Sequence, residues 1–186
     1  MQVRAVTLDS VGGPVRVEQL DLEEPRHGEV LVKLGASGLC HSDQHAISGH
    51  HGAELPCVLG HEGAGEVVSI GPEVRTVEIG DRVALNWIPS CGTCFFCLRN
   101  QQHLCSDGSQ RIWSGYLLDG TSRISRNGQP IFHYCGISTW SEYMVVAEVN
   151  CQRIPDSVPF EVAALIGCGV ATGVGAAIQR CLLYTS

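Results

Sequence analysis

Six short runs rich in Val, Leu and Ile, "VRAVTL", "VRVEQL", "VLVKLGA", "EVVSI", "RVAL" and "EYMVV", stand between segments broken by glycine and proline, such as "SVGGPV", "EEPRHGE", "SIGPEV" and "EIGDRV". A strand turns successive side chains to opposite faces, and Gly and Pro end it, so the pattern predicts strands over residues 3–8, 15–20, 30–36, 66–70, 82–85 and 142–146. The first of these alternates as an edge strand would. The fold class is therefore mainly β with short helices. "CHSDQHAI", residues 40–47, predicts one such helix. Residues 86–110 show no period, and a connection that long needs a function or a clamp; metal accounts for it better than hydrogen-bonded structure does. After "QRIPDSVPF" the pattern changes. Ser157 is placed to cap a helix with Pro159 in its first turn and Glu161 near the positive end of the dipole. The uncharged run 162–179, "VAALIGCGVATGVGAAIQ", is long enough to span a bilayer, but its Gly, Ala and Thr content counts against a span.

Length and charge narrow the function classes. The 186 residues make one domain's worth of chain, with a core of ordinary size. Twelve basic against nineteen acidic side chains give a net charge of −7, with no basic block, which excludes nucleic acid as the expected partner. The start "MQVRAVTLDS" has no export signal, so a cytoplasmic location is expected. In that compartment ten cysteines read as ligands or catalytic thiols rather than as crosslinks.

The strongest chemical signal is "CGTCFFCLRNQQHLC", with Cys91, Cys94, Cys97 and Cys105 spaced by two, two and seven residues. Tight C-x2-C turns let sulfurs converge on one ion, and four thiolates close a tetrahedral zinc shell. An iron-sulfur cluster competes, although ferredoxin runs place their last cysteine after three residues and before a proline; a redox pair or inert buried thiols are further alternatives. Four sulfurs leave no open position, so such a zinc is structural. Three other stretches carry potential ligands beside glycine: "GLCHSDQH" with Cys40, "GHEGAGEV" with His61 and "GCGVATG" with Cys168. Each residue alone also reads as a buried cysteine or a hydrogen-bonded histidine.

Taken in order, "GLCHSD", "GHEGAGEVVSIGPEV", "GDRVAL", the four-cysteine loop and "ALIGCGVATG" resemble the zinc-dependent alcohol dehydrogenases of the medium-chain dehydrogenase/reductase family. The branch with the nicotinoprotein and the glutathione- or mycothiol-dependent formaldehyde dehydrogenases is the most similar. The resemblance implies a GroES-like catalytic domain with two zinc ions. Cys40, His61 and Cys168 would bind the catalytic one, and Cys91, Cys94, Cys97 and Cys105 the structural one. It also implies that Glu62 enters the shell during exchange and that Asp43 fixes the tautomer of the liganding imidazole. Zinc as a Lewis acid lets an alcohol lose its proton near neutral pH. Ser42 would take that proton and His45 pass it to solvent, while hydride leaves for NAD. His41 and Thr172 would contact the cofactor. Trp87 and Tyr134 would line the alcohol pocket, or serve as plain core. Ser42 has the alternative of a helix N-cap, and His45 that of a solvated surface residue. His50 and His51 match no ligand position and read as loop residues, while Cys57, Cys135 and Cys151 read as buried thiols.

The sequence has no G-x-G-x-x-G fingerprint between a strand and a helix, and "GVATGVG" spaces its glycines differently, for close packing. Residues 1–155 are thus expected to form the zinc-binding domain and 156–180 a helix leading toward a nucleotide-binding domain not in this sequence. Residues 181–186, "CLLYTS", are expected to be a non-native tail, Cys181 included. The helix should then carry an exposed apolar face. The implied function is oxidation of a primary alcohol or hydroxymethyl adduct to an aldehyde, in a full-length homo-oligomer without membrane or nucleic-acid partners. The competing reading is a free-standing zinc module that binds a protein and catalyses nothing.

Overall fold

Two sheets make up the computed structural model, which describes residues 1–50 and 52–179. His51, Arg180 and the tail from Cys181 lie outside the described residues. The elements in chain order are β1 (Gln2–Leu8), β2 (Arg16–Leu22), β3 (Glu29–Ser37), α1 (His41–Ser48), β4 (Cys57–Val58), β5 (Gly63–Ile70) and β6 (Arg82–Leu85). They continue with α2 (Ser106–Trp113), β7 (Ile124–Arg126), β8 (Gln129–Pro130), β9 (Phe132–His133), β10 (Tyr143–Ala147) and β11 (Cys151–Arg153). Last come α3 (Phe160–Ala163), a π turn (Ile166–Val170) and α4 (Ala171–Gln179). One sheet runs β8-β7-β2-β1-β4-β9 and the other β10-β3-β5-β6-β11. Every pairing is antiparallel except β4 with β9.

Alternation explains which faces meet. Val3 and Ala5 of β1 and Leu20 and Leu22 of β2 point inward, against Val30, Val32, Val67 and Met144 from the second sheet. A smaller cluster of Leu8, Ala46, Leu59 and Tyr134 lies beneath α1. Arg123 is fully buried and donates to both carboxylate oxygens of Glu29 (2.8 and 2.6 Å) and to Asp119, which ties β7 to the start of β3. A buried cation is tolerated there because its charge is matched and hydrogen-bonded.

All six strands foreseen from the pattern form, with ends shifted by up to three residues, and the fold class is the mainly β one expected. Three expectations are corrected. β1 is not an edge strand: two-residue β4, too short to show a period, pairs with Thr7 and Leu8 on its far side. Residues 86–110 are not free of hydrogen-bonded structure, since 3₁₀ turns occupy Cys97–Arg99 and Gln102–Leu104 and α2 begins at Ser106. Ser157 does not cap α3. Pro159 does, with extended backbone (φ −60°, ψ 146°), and Ser157 sits in the turn that the Val158 N–H closes onto the Pro155 carbonyl.

The helical run Phe160–Gln179 has a mean hydropathy of 1.7, long and apolar enough by length and composition to cross a membrane. Only 11% of it is buried, and Leu165, Ile166, Val170, Val174 and Ile178 stand exposed, so the foreseen apolar face is present.

Candidate metal centres

Cys91, Cys94, Cys97 and Cys105 converge, their sulfurs all within 4.8 Å of one another. Cys91 to Cys97 is 4.0 Å and Cys94 to Cys105 is 3.9 Å. A tetrahedron with metal–sulfur bonds of 2.3 Å has edges of about 3.8 Å, so the spacing fits one zinc ion. It is too long for a disulfide, and a multi-iron cluster needs its thiolates farther apart. Backbone amides prepare the sulfurs for negative charge. The N–H groups of Thr93 and Cys94 donate to the Cys91 sulfur, and those of Cys91 and Gly108 to the Cys105 sulfur. Hydrogen bonds, that from the Cys97 amide foremost, draw the Cys94 thiol down to about 6, while burial first and the other thiols next push Cys97 up to about 12. Four thiols so close cannot ionise independently, and a bound cation resolves that conflict.

The second donor set is built from remote segments. Cys40 caps α1, where Asp43 accepts the Cys40 N–H at 3.0 Å. His61 and Glu62 precede β5, and their backbone is pinned because Ser37 and Thr139 hydroxyls donate to the Glu62 carbonyl at 2.7 and 2.9 Å. Cys168 lies in the π turn, a geometry often found at functional sites. One donor atom from each of Cys40, His61, Glu62 and Cys168 lies within 4.8 Å of the rest. Gly38 allows this approach: a Cβ there would stand 2.1 Å from a Glu62 carboxylate oxygen.

His61 decides what the second set can hold. Its Nδ1 lies 3.1 Å from Asp43 Oδ1, a contact that in the neutral ring keeps the proton on Nδ1 and leaves the lone pair on Nε2, and that buried Nε2 has no hydrogen-bond partner among the described residues. Burial opposes charge on His61, but Asp43 and then Cys40 outweigh it and raise its pKa. Burial also opposes the Cys40 thiolate, while Ser42 and His61 outweigh that opposition and lower its pKa. Burial first, and then Cys40, push Cys168 up to about 12. An orphaned imidazole nitrogen facing two sulfurs is the donor set of an N/S-ligated borderline ion. Glu62 accepts the Gly169 N–H at 3.1 Å, so it stands behind the set and links it to the π turn.

A cavity of ≈ 260 Å³ opens beside this cluster. Trp87 and Tyr134 line it, together with Ser42 and His45, and so do Trp113, Cys135 and His50, which sequence reasoning did not place there. Ser42 is the second residue of α1 and not its N-cap. His45 is exposed, with its ring edge-on to His41 at 4.5 Å. His50 follows the end of α1 and belongs to neither donor set. His41 and Thr172 are exposed, on α1 and α4. Cys57 and Cys135 are buried as expected, while Cys151 is half-buried. The signal for Trp113 was in "CSDGSQRIW": Asp107 in the first turn and Arg111 in the last suit a helix dipole.

Known proteins share this architecture. The family model of the alcohol dehydrogenase GroES-like domain matches residues 26–156. S-(hydroxymethyl)glutathione dehydrogenase of Synechocystis sp. is 45% identical over 177 residues, which are 95% of this chain and 48% of that protein. Its counterpart in Escherichia coli is 43% identical over the same shares. Among solved structures, an alcohol dehydrogenase zinc-binding domain protein from Burkholderia ambifaria superposes with a TM-score of 0.90 at 34% identity, covering 96% of this chain and 49% of that one. Benzyl alcohol dehydrogenase from Acinetobacter calcoaceticus gives 0.88 at 31%, covering 96% and 48%. The chain spans about half the length of these relatives.

Proposed function

Because this chain belongs to the alcohol dehydrogenase GroES-like domain family, we propose that it is the zinc-binding catalytic domain of an NAD-dependent alcohol dehydrogenase. The substrate is a primary alcohol, or a hydroxymethyl adduct, and the product an aldehyde. The observation that carries this reading is the buried, partnerless Nε2 of His61 facing the thiols of Cys40 and Cys168 beside a cavity. Cys40, His61 and Cys168 would hold the catalytic zinc and the four-cysteine loop the structural one. When bound, zinc supplies a Lewis acid that lowers the pKa of an alcohol, and NAD supplies the hydride acceptor.

The chain's own residues do the rest. Asp43 fixes the His61 tautomer, as an outer partner must for a neutral imidazole ligand. Ser42, on the cavity wall, would accept the alcohol proton at Oγ as it gives up its own hydroxyl proton toward exposed His45, which would release a proton to solvent. Glu62 stands ready to exchange with a ligand, and His41 and Thr172 contact the cofactor. In the same proposal residues 1–155 form the zinc-binding domain. Residues 156–180 lead toward the nucleotide-binding half, for which the apolar face of Phe160–Gln179 is the packing surface, and residues 181–186 are not native. The full-length enzyme is a cytoplasmic homo-oligomer acting on small alcohols or aldehydes, with no nucleic-acid or membrane partner.

A zinc module that only binds a protein needs no second ion. Metal analysis therefore separates the two readings: the chain should hold two zinc ions, and Cys168→Ser one. A zinc content that the substitution leaves unchanged would sink the dehydrogenase reading.

A further inference from the structure

We propose that Trp113 sets the substrate class of this site, which takes a neutral, flat primary alcohol of the aryl-methanol type and disfavours an anionic adduct. The inference rests on the dehydrogenase reading above.

Trp113 is the last residue of α2, and α2 is held at both ends of its buried face. At its start the Cys105 sulfur accepts the Gly108 N–H at 3.3 Å, and Gly108 packs so closely that a Cβ would stand 2.0 Å from the Pro89 carbonyl oxygen. Near its end Ile112 is buried. The four-cysteine loop thus fixes where the indole goes. That ring meets Trp87 at 6.4 Å between centroids and 61° between planes. Trp87 in turn stands edge-on to His61 (6.3 Å, 85°), as Tyr134 does from another side (5.7 Å, 76°). Two aromatic rings therefore meet the imidazole at the cavity, and Trp113 stands against one of them, Trp87, in contacts of the tilted and edge-to-face kind that aromatic pairs prefer.

Size and charge point the same way. At ≈ 260 Å³ the cavity falls below the roughly 300 Å³ at which pockets begin to take drug-sized ligands. Among the described residues, its polar lining is Ser, His and Cys, with no Lys or Arg. Trp113 also borders a second groove, which contains Glu54. A carboxylate placed against these aromatic walls gives up part of its water and meets no cation among the described lining residues.

The test uses the chain loaded with cobalt in place of zinc and two probes that differ by one charge, benzyl alcohol and 4-(hydroxymethyl)benzoate, read by the visible cobalt bands and by tryptophan fluorescence. Benzyl alcohol should half-saturate at a concentration about tenfold or more below that of the benzoate. Trp113→Ala should raise its half-saturating concentration about tenfold, and Trp113→Phe only about threefold or less. Native-like benzyl alcohol binding by Trp113→Ala, with intact cobalt bands, overturns the proposal and leaves the dehydrogenase reading standing. So does equal half-saturation by the two probes on the unaltered chain. If neither probe disturbs the cobalt in any form of the chain, the dehydrogenase reading fails and takes the proposal with it.

Discussion

The two donor sets are assembled by opposite means. Cys91, Cys94, Cys97 and Cys105 come from fifteen consecutive residues, on 3₁₀ turns and loop, and the groups that reach their sulfurs are near neighbours in the chain, such as the Thr93 hydroxyl on Cys91 and Ser106 on Cys94. Cys40, His61 and Cys168 come from three distant segments, and fold contacts hold them: Asp43 on the imidazole, Ser37 and Thr139 on the Glu62 carbonyl, Gly169 on its carboxylate. In the first set a bound ion would organise the chain; in the second the chain organises a place that an ion would fill. Structural zinc sites are closed and contribute folding energy outright, whereas catalytic sites keep a position open.

Breaking the closed set should have the largest effect. Cys97 is buried among the other three thiols. Cys97→Ser should release one zinc ion, lower the melting temperature by roughly 10 °C or more, and abolish amide protection in residues 91–113. Because α2 starts on Cys105, Trp113 fluorescence should change with it. Calorimetry, metal analysis and hydrogen exchange check this, and a loop that keeps its protection without metal would erase the distinction between the two sets.

Asp43→Asn sharpens the comparison from the other side. Asp43 is buried, accepts the Cys40 N–H and orients His61. An amide presented to Nδ1 favours the tautomer with its proton on Nε2, which cannot ligate. Affinity of the second set alone should fall by about 10–100-fold, with the cysteine loop untouched. A competition titration with a chromophoric chelator resolves the two ions.

Local encoding also decides what could be read beforehand. The cysteine loop announces itself by spacing, and β1, β2, β3, β5, β6 and β10 by runs of Val, Leu and Ile. β4 and β9 are two residues each and owe their existence to partners across the sheet, so no period betrays them. Pro159 displaced Ser157 as the cap because its ring leaves extended backbone ahead of the helix, a choice that propensity for Ser at caps does not register. For the second donor set the residues alone left buried cysteine and hydrogen-bonded histidine open, and the order of motifs settled which residues to bring together. Trp113 escaped because its place depends on α2, which in turn depends on a cysteine acting as a cap.

Thiols outside both sets supply the control, with the smallest effect. Cys57 is fully buried, and burial first, then Asp43 and Asp9, push it up to about 12 from the ordinary 9.0. As pH rises past 9, the unfolded chain ionises this thiol while the folded chain keeps it protonated. The folded state then binds more protons and stability falls, fully retained below pH 9 and lost progressively toward pH 12. At pH 10 the loss from Cys57 is about 1 kcal/mol, or roughly 2–4 °C in melting temperature for a chain of this size. Cys57→Ala should flatten the slope between pH 8 and 10 by that amount at unchanged zinc content. An equal flattening by Cys168→Ser in the zinc-loaded chain would mean that Cys168 is still protonated there, and that the second set does not hold its ion as a thiolate.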